Sequence, residues 1–245
     1  MERAIYDQMR VLQEAHWWFT ARREILAAEI ARLPLPRPAR ILEAGCGPGG
    51  NLAMLGRFGE VAAIEPDEAS RAYAAELNGV DVRHGLLPQA IPDFGAPFDL
   101  VAAFDVIEHV DDDAGAVAAL GALIAPGGYF IATVPAYAWM WSGHDAAHHH
   151  KRRYALPAFR RLFENAGLKV RRASHFNTLL FPPIAAVRLA RSAGRKIAAH
   201  DGDEAMPPRP LNGVLRTVFG MERALLRAAD LPFGVSILVI AERPR

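Results

Sequence analysis

The residues best suited to chemistry begin in ILEAGCGPGGNL, positions 41 to 52. Gly45, Gly47 and Gly49 follow an apolar run, where glycine permits a tight turn and lets a ligand approach the backbone. They form a loose G-x-G-x-G, and Gly45, Gly47 and Gly50 also satisfy the G-x-G-x-x-G spacing of a dinucleotide loop. Glu65 closes a second apolar run 22 residues after Glu43, where a carboxylate can accept hydrogen bonds from two ribose hydroxyls. A nicotinamide cofactor and S-adenosylmethionine both need that acid.

Three features favour S-adenosylmethionine. Glu43 stands two residues before the first glycine, a poor neighbour for a pyrophosphate and a good one for the ammonium of a methionine moiety. Pro48 removes a backbone N–H that would otherwise cradle phosphate oxygens. The later stretches FDLVAAFDVIEHV and APGGYFIATVP have no part in a hydride-transfer site. Methyl transfer is an in-line displacement at a primed sulfonium, so positioning and desolvation supply much of the rate. A phenol, hydroxyl or acidic carbon would still profit from a histidine base. Candidates follow the fifth apolar run: Tyr137, Trp139, Trp141, His144, Asp145, His150 and Tyr154. Of these, His144, Asp145, His150 and Tyr154 are the expected catalytic set.

The elements that must position these groups follow from periodicity. Apolar residues at helical spacing (Ile5, Met9, Leu12, then Ile25, Leu26, Ile30) predict one or two helices before the breaker LPLPRPAR. Short apolar runs, RILEAG, EVAAIEP, DVRHG, FDLVAAFD and GYFIATVP, then alternate with helical stretches. That rhythm predicts βαβ units and a parallel sheet with helices on both faces. LKVRRAS and GVSILVIAER supply two more strands, separated by a helix-rich insertion that ends in a final helix over 212–229. We expect a single domain, with a helical cap at 1–37, a cofactor-binding core at 38–174, a helical lid at 175–232 and the last strand at 233–245.

In E-x-G-C-G-x-G at 43–49, the acid of AAIEPD, FDLV followed by DVIEHV, and the PGG turn before the fifth run, the chain resembles the class I S-adenosylmethionine-dependent methyltransferases. HWWFTARR and HDAAHHHKRRY resemble a bacterial subgroup of them. The resemblance implies a Rossmann-like, doubly wound seven-stranded sheet whose last strand is antiparallel. It also implies that the glycine loop (Glu43, Gly45, Cys46, Gly47, Gly49, Asn51) wraps the methionine part and that Glu65 and Pro66 face the ribose. Gly85, Leu86 and Leu87 would border the adenine, while Phe104, Asp105, Val106 and His109 close the pocket. Trp18 and Arg22 join that set from the N-terminal helix, Arg22 or Arg23 offering a bidentate fork to the cofactor carboxylate. Quinone O-methyltransferases of similar sequence bind a divalent ion with an acid-and-histidine group comparable to Asp105, Glu108 and His109. Here we expect no metal: those acids complement a helix N-terminus, and the histidines at 144–150 lack a cysteine or a matched second cluster.

Composition bounds the partners. The single cysteine precludes an internal disulfide, and MERAIYDQMR carries acids where a secretory signal needs a basic, then apolar, run; a cytoplasmic protein is the expectation. Residues 1–150 hold 10 Lys+Arg against 20 Asp+Glu, and residues 151–245 hold 18 against 7. The two halves can attract each other within the fold, or the basic half can face an anionic partner. Arg188, Arg191 and Arg195 recur at helical spacing after Pro182 and Pro183, as on a helix that caps the core or lies on an anionic membrane at the inner surface. Nucleic acid is not expected, because aromatics are not interleaved with the basic run. The reading is a methyltransferase for a small-molecule or lipid-linked, anionic acceptor; a nicotinamide-dependent oxidoreductase and a catalytically silent adaptor are the rivals.

Overall fold

The computed structural model describes residues 3–192 and 205–245, with side chains from residue 8 to 190 in the first segment. Two helices, α1 (Arg3–Ala15) and α2 (Trp17–Ile30), lead through the proline-rich stretch into strand β1 (Ala39–Ala44). Then come α3 (Leu52–Leu55), β2 (Gly59–Ile64), α4 (Glu68–Asn78), β3 (Asp81–Arg83), β4 (Phe98–Phe104), α5 (Asp113–Ala122) and β5 (Ile124–Pro135). The second half holds α6 (Gly143–Ala147), α7 (Leu156–Asn165), β6 (Lys169–Phe176), α8 (Phe181–Ser192), α9 (Arg209–Gly220), α10 (Glu222–Ala228) and β7 (Ser236–Glu242).

The seven strands lie in the order β3-β2-β1-β4-β5-β7-β6. β1 to β5 run parallel, and β7 is antiparallel to both β5 and β6, as expected. The central strands are buried on both faces, which is why they read as near-continuous apolar runs. One face packs Phe130, Phe159 and Phe163 against Val117 and Leu120 of α5. Phe163 meets Phe130 and Phe159 edge-on at 5.0 and 5.2 Å between ring centroids, a favoured aromatic geometry. The other face buries Ile25, Leu26 and Ile30 of α2 with Phe176, Phe219 and Leu226. The strand order reverses between β1 and β4, and in such sheets ligands sit in the crevice beyond the carboxyl ends of the strands at that point.

Two expectations about elements are corrected. The D-x-x-E-H run does not open a helix: Ile107–His109 form a single 3₁₀ turn, and α5 begins later, capped by Asp112, whose side chain accepts from Gly115 N at 2.8 Å. Asp112 and Asp113 therefore complement that helix end. The expected helix over 212–229 is two helices, α9 and α10, meeting at Met221. Among the described residues no helix is long and apolar enough to cross a membrane. Arg188 lies on α8, which Phe181 and the two prolines open; Arg195 and the side chain of Arg191 lie outside the described residues.

Much of the charge asymmetry is consumed inside the fold. Lys151 and Arg152 pair with Asp111 and Asp113, and Arg216 pairs with Glu24. A further, buried pair is Arg172 with Glu29, which ties β6 to α2; Arg172 also donates to the carbonyls of Leu226 and Ala229 and pairs with Asp230. Removing one partner of a buried pair leaves the other uncompensated. Arg172→Leu is expected to cost about 3–5 kcal/mol, lowering Tm by roughly 6–20 °C for a chain of this size. Adding Glu29→Gln should recover part of the loss. An unchanged Tm in thermal unfolding would remove the pair from this role.

Candidate active site

Gly45, Gly47 and Gly49 all adopt left-handed backbone, with φ of 68°, 54° and 86°. At Gly45 space is short as well, since a Cβ there would stand 2.7 Å from Val106 Cγ2. Glu65, at the end of β2, pins the loop: its Oε2 accepts from Gly47 N at 2.8 Å and its Oε1 from Asp67 N at 2.9 Å. Glu43 is buried, and its Oε1 accepts from Asn51 Nδ2 at 2.7 Å. Its Oε2 is also buried and has no hydrogen-bond partner among the described residues. Burial pushes the Glu43 carboxyl up to about 7, against the lowering effect of the Asn51 hydrogen bond and the Arg22 charge. A buried carboxylate with one oxygen to spare beside a left-handed glycine loop fits a ligand carrying an ammonium group. Cys46 is buried next to it, its thiol pushed far up by burial and by Glu43 and Glu65.

The neighbouring strand end, β4, brings Phe104, Asp105 and Val106 to the same loop. Asp105 has φ of 56° and forms an ion pair with the buried Arg22 of α2. Thr133 of β5 joins them, donating to Asp105 Oδ2 at 3.2 Å. The Arg22 guanidinium lies over the Trp18 ring at 4.8 Å and near the Phe104 ring at 5.5 Å. Trp18 and Arg22 thus reach the pocket from the N-terminal helices. Sequence reasoning missed Gln13 of α1, buried against Gly50: a Cβ on Gly50 would stand 2.5 Å from Gln13 Oε1, and Gln13 Nε2 has no partner among the described residues. A glutamine on an otherwise core-facing helical stripe was the available signal. Beyond β3, Gly85 is buried against Ile64, whereas Leu86 is exposed and pairs with Ala90 through both backbone groups. Pro66 offers only its carbonyl, to Arg71 at 3.4 Å.

Past β5, Tyr137 stacks on Trp139 (5.9 Å, 26°) and on His175 (5.4 Å, 14°), with Phe181 at 5.6 Å. Trp139 and Trp141 are 49% and 44% exposed, so an aromatic wall opens to solvent. Below it α6 begins with a capping box between Ser142 and Asp145. Asp145 is fully buried and accepts from Ser142 N at 2.8 Å, Arg153 Nε at 2.7 Å and His150 Nδ1 at 2.9 Å. Burial opposes its ionisation, but the hydrogen bonds from His150 and Arg153 hold it below the usual carboxylate range. His150 also meets His109 at 4.6 Å between ring centroids. Burial, with His150 and His148 nearby, pushes His109 down to about 3.

One expected role is changed by this placement. Tyr154 is not presented to a ligand: it lies in the core cluster and its hydroxyl donates to Asp113 at 2.7 Å. Burial and Asp113 push the phenol far above its usual value, so it is no base near neutrality. The D-x-x-E-H residues divide between two groups. Asp105 turns to Arg22, while Glu108 and His109 gather with His150. Glu108 is wholly buried with neither oxygen hydrogen-bonded among the described residues, and burial and Asp105 raise its pKa. Tyr154→Phe should cost about 1 kcal/mol of stability and leave the pH–rate profile between pH 6 and 9 unaltered; a displaced basic limb would restore a titrating role to the phenol.

With the geometry established, comparison places the chain among known proteins. A family profile described as a methyltransferase domain matches residues 18–173. An S-adenosylmethionine-dependent methyltransferase of Mycolicibacterium smegmatis is 33% identical over 65% of this chain and 62% of its own length. A ubiquinone biosynthesis O-methyltransferase of Methylocella silvestris is 42% identical over 40% of this chain and 41% of its own. The chain thus spans less than two thirds of the length of these curated relatives. Among solved structures, an S-adenosylmethionine-dependent methyltransferase of Mesorhizobium loti superposes with a TM-score of 0.59 at 16% identity, covering 94% of this chain and 99% of that one. A Haemonchus contortus phosphoethanolamine N-methyltransferase in complex with S-adenosylmethionine does so with a TM-score of 0.59 at 18% identity, over 90% of this chain and 52% of that one. The chain belongs to the methyltransferase-domain family and has the fold of the class I S-adenosylmethionine-dependent methyltransferases.

Proposed function

We propose that the protein methylates, from S-adenosylmethionine, a hydroxyl on a small or lipid-linked acceptor whose aromatic head becomes anionic on losing its proton. The observation that carries this reading is the aromatic wall of Tyr137, Trp139, Phe181 and His175. It continues into the exposed Phe233, whose ring centroid lies 5.5 Å from that of Phe181. Stacking suits a planar head, and an apolar surface beyond it suits a tail. Several relatives are named ubiquinone biosynthesis O-methyltransferases, which supports the same class.

When bound, the cofactor supplies an electrophilic methyl group on a sulfonium. The chain's part is to bind, orient and exclude water. Glu43 pairs with the ammonium through the oxygen that lacks a partner, and Gly45, Cys46, Gly47, Gly49 and Asn51 wrap the methionine part. Glu65 and Pro66 face the ribose. Gly85 and Leu86 border the base, and Phe104, Asp105, Val106, His109, Trp18 and Arg22 close the pocket. On the acceptor side, Asp145 is a positioning residue. It accepts the Nδ1 proton of His150 and leaves Nε2 as the nitrogen lone pair of that ring.

Glu43 gives a pH test whose sign follows from its raised pKa. An unfolded glutamate ionises near 4.5 and this one near 7. As pH rises between those values the unfolded chain has lost the proton that the folded chain keeps, so stability falls across that window. Cofactor binding through an ionised Glu43 should then weaken toward tenfold per pH unit below 7. Calorimetric Kd values for S-adenosylmethionine from pH 5.5 to 8 check this; a Glu43→Gln protein should bind weakly with a flat profile, and a flat wild-type profile would remove Glu43 from the ammonium role.

The acceptor is tested by transfer of labelled methyl to hydroxylated aromatics with and without a prenyl tail, presented in anionic vesicles. The tailed phenol should have the higher kcat/KM, and Trp139→Ala should raise KM more than it lowers kcat. Faster turnover of amines or of untailed acceptors would sink the assignment. A thermal shift with S-adenosylmethionine or S-adenosylhomocysteine at ~100 times Kd, worth about 2.7 kcal/mol, and none with NAD or NADP, separates the methyltransferase from both rivals.

A further inference from the structure

We propose that His144, His148 and His150 form a three-imidazole site for a divalent transition-metal ion of the zinc type. Each offers one ring nitrogen, and the three lie within 4.8 Å of one another. Their placement follows from a few local features. His144 is in α6 and His148 is its C-cap, one turn apart, with ring centroids 4.2 Å apart. His149 then takes left-handed backbone at φ 56°, which folds the chain back so that His150 N donates to Asp145 O at 2.9 Å. His150 is thereby returned to 5.8 Å from His144 and 5.7 Å from His148 between ring centroids.

The surroundings are those of a metal site. Asp145 accepts from His150 Nδ1 at 2.9 Å, so Nε2 carries the lone pair; a carboxylate behind a ligating histidine fixes its tautomer and raises its basicity. Imidazole nitrogens select zinc and its neighbours over magnesium or calcium, which prefer oxygen. Tetrahedral Zn–N bonds of about 2.0–2.1 Å require nitrogens roughly 3.3 Å apart, a closure reached by side-chain rotation. The set differs from the Asp105, Glu108 and His109 group, in which Asp105 is held by Arg22. Glu108 and His109 also gather with His150, and the variants below tell the two groups apart. Three imidazoles leave a fourth position for water or an oxygen ligand. That it receives the acceptor's hydroxyl rests on the function proposed above; binding of the ion does not.

The test is metal binding by the full chain, without a histidine tag and stripped with chelator, measured with no acceptor present. Equilibrium dialysis with Zn²⁺ should give one ion per chain, and Co²⁺ should develop the intense visible bands of a tetrahedral site. His144→Ala and His148→Gln should each lower Zn²⁺ affinity by 100-fold or more, and Asp145→Asn by ~10–100-fold, with folding of each variant checked by thermal unfolding. Absence of stoichiometric Zn²⁺ in the wild type overturns the site, a result that needs no variant. So does binding that survives His144→Ala and His148→Gln but is lost in Glu108→Gln or His109→Ala, which would place the ion at the buried group.

Discussion

The ion pair between Arg22 and Asp105 is the contact on which the pocket depends. It joins the N-terminal helices to the carboxyl end of β4, at the point where the strand order reverses. A guanidinium at 4% exposure is tolerable only because a carboxylate and two aromatic rings receive it. Trp18 and Phe104 provide those rings. The carboxylate is delivered by a left-handed Asp105, a conformation that costs a non-glycine residue about 1–3 kcal/mol and persists when its surroundings over-determine it. The same turn places Val106 against Gly45, so glycine loop, β4 end and N-terminal cover interlock.

Glu43 and Glu65 show how two acids of one type are driven to different behaviour. Glu65 receives a backbone N–H on each oxygen, and its work in the free protein is to hold the glycine loop in shape. Glu43 receives one amide and is otherwise buried without a partner. The unmet need of its second oxygen is the feature that a cationic ligand group relieves.

Asp145 plays the equivalent part on the acceptor side. One buried carboxylate organises the Ser142 cap, the Arg153 guanidinium and the His150 ring. Arg153 in turn donates to Ala136 O at 3.2 Å, joining this segment to the end of β5. The histidines therefore stand on a scaffold of satisfied polar contacts, beside an aromatic wall that is left open.

The alternation of apolar runs and helical stretches was enough to determine a doubly wound sheet, because strands buried on both faces and helices buried on one have different periods. The glycine spacing after β1, with Glu43 before it and Glu65 after β2, likewise marked a tight loop flanked by two buried carboxylates, since left-handed turns and charge partners are local demands. What lay beyond the sequence were contacts between residues far apart in the chain. Arg22 meets Asp105 across 83 positions, and Tyr154 finds Asp113 across 41, which turns an apparent catalytic phenol into a core contact. D-x-x-E-H looked like a helix start; a 3₁₀ turn and the pull of Arg22 separate its members. The convergence of His144, His148 and His150 depends on one left-handed residue, His149, whose backbone is settled by the packing around Asp145 and not by its own type. Local periodicity and turn chemistry are written residue by residue; which charge meets which, and at what burial, is decided only when the sheet closes and the helices dock.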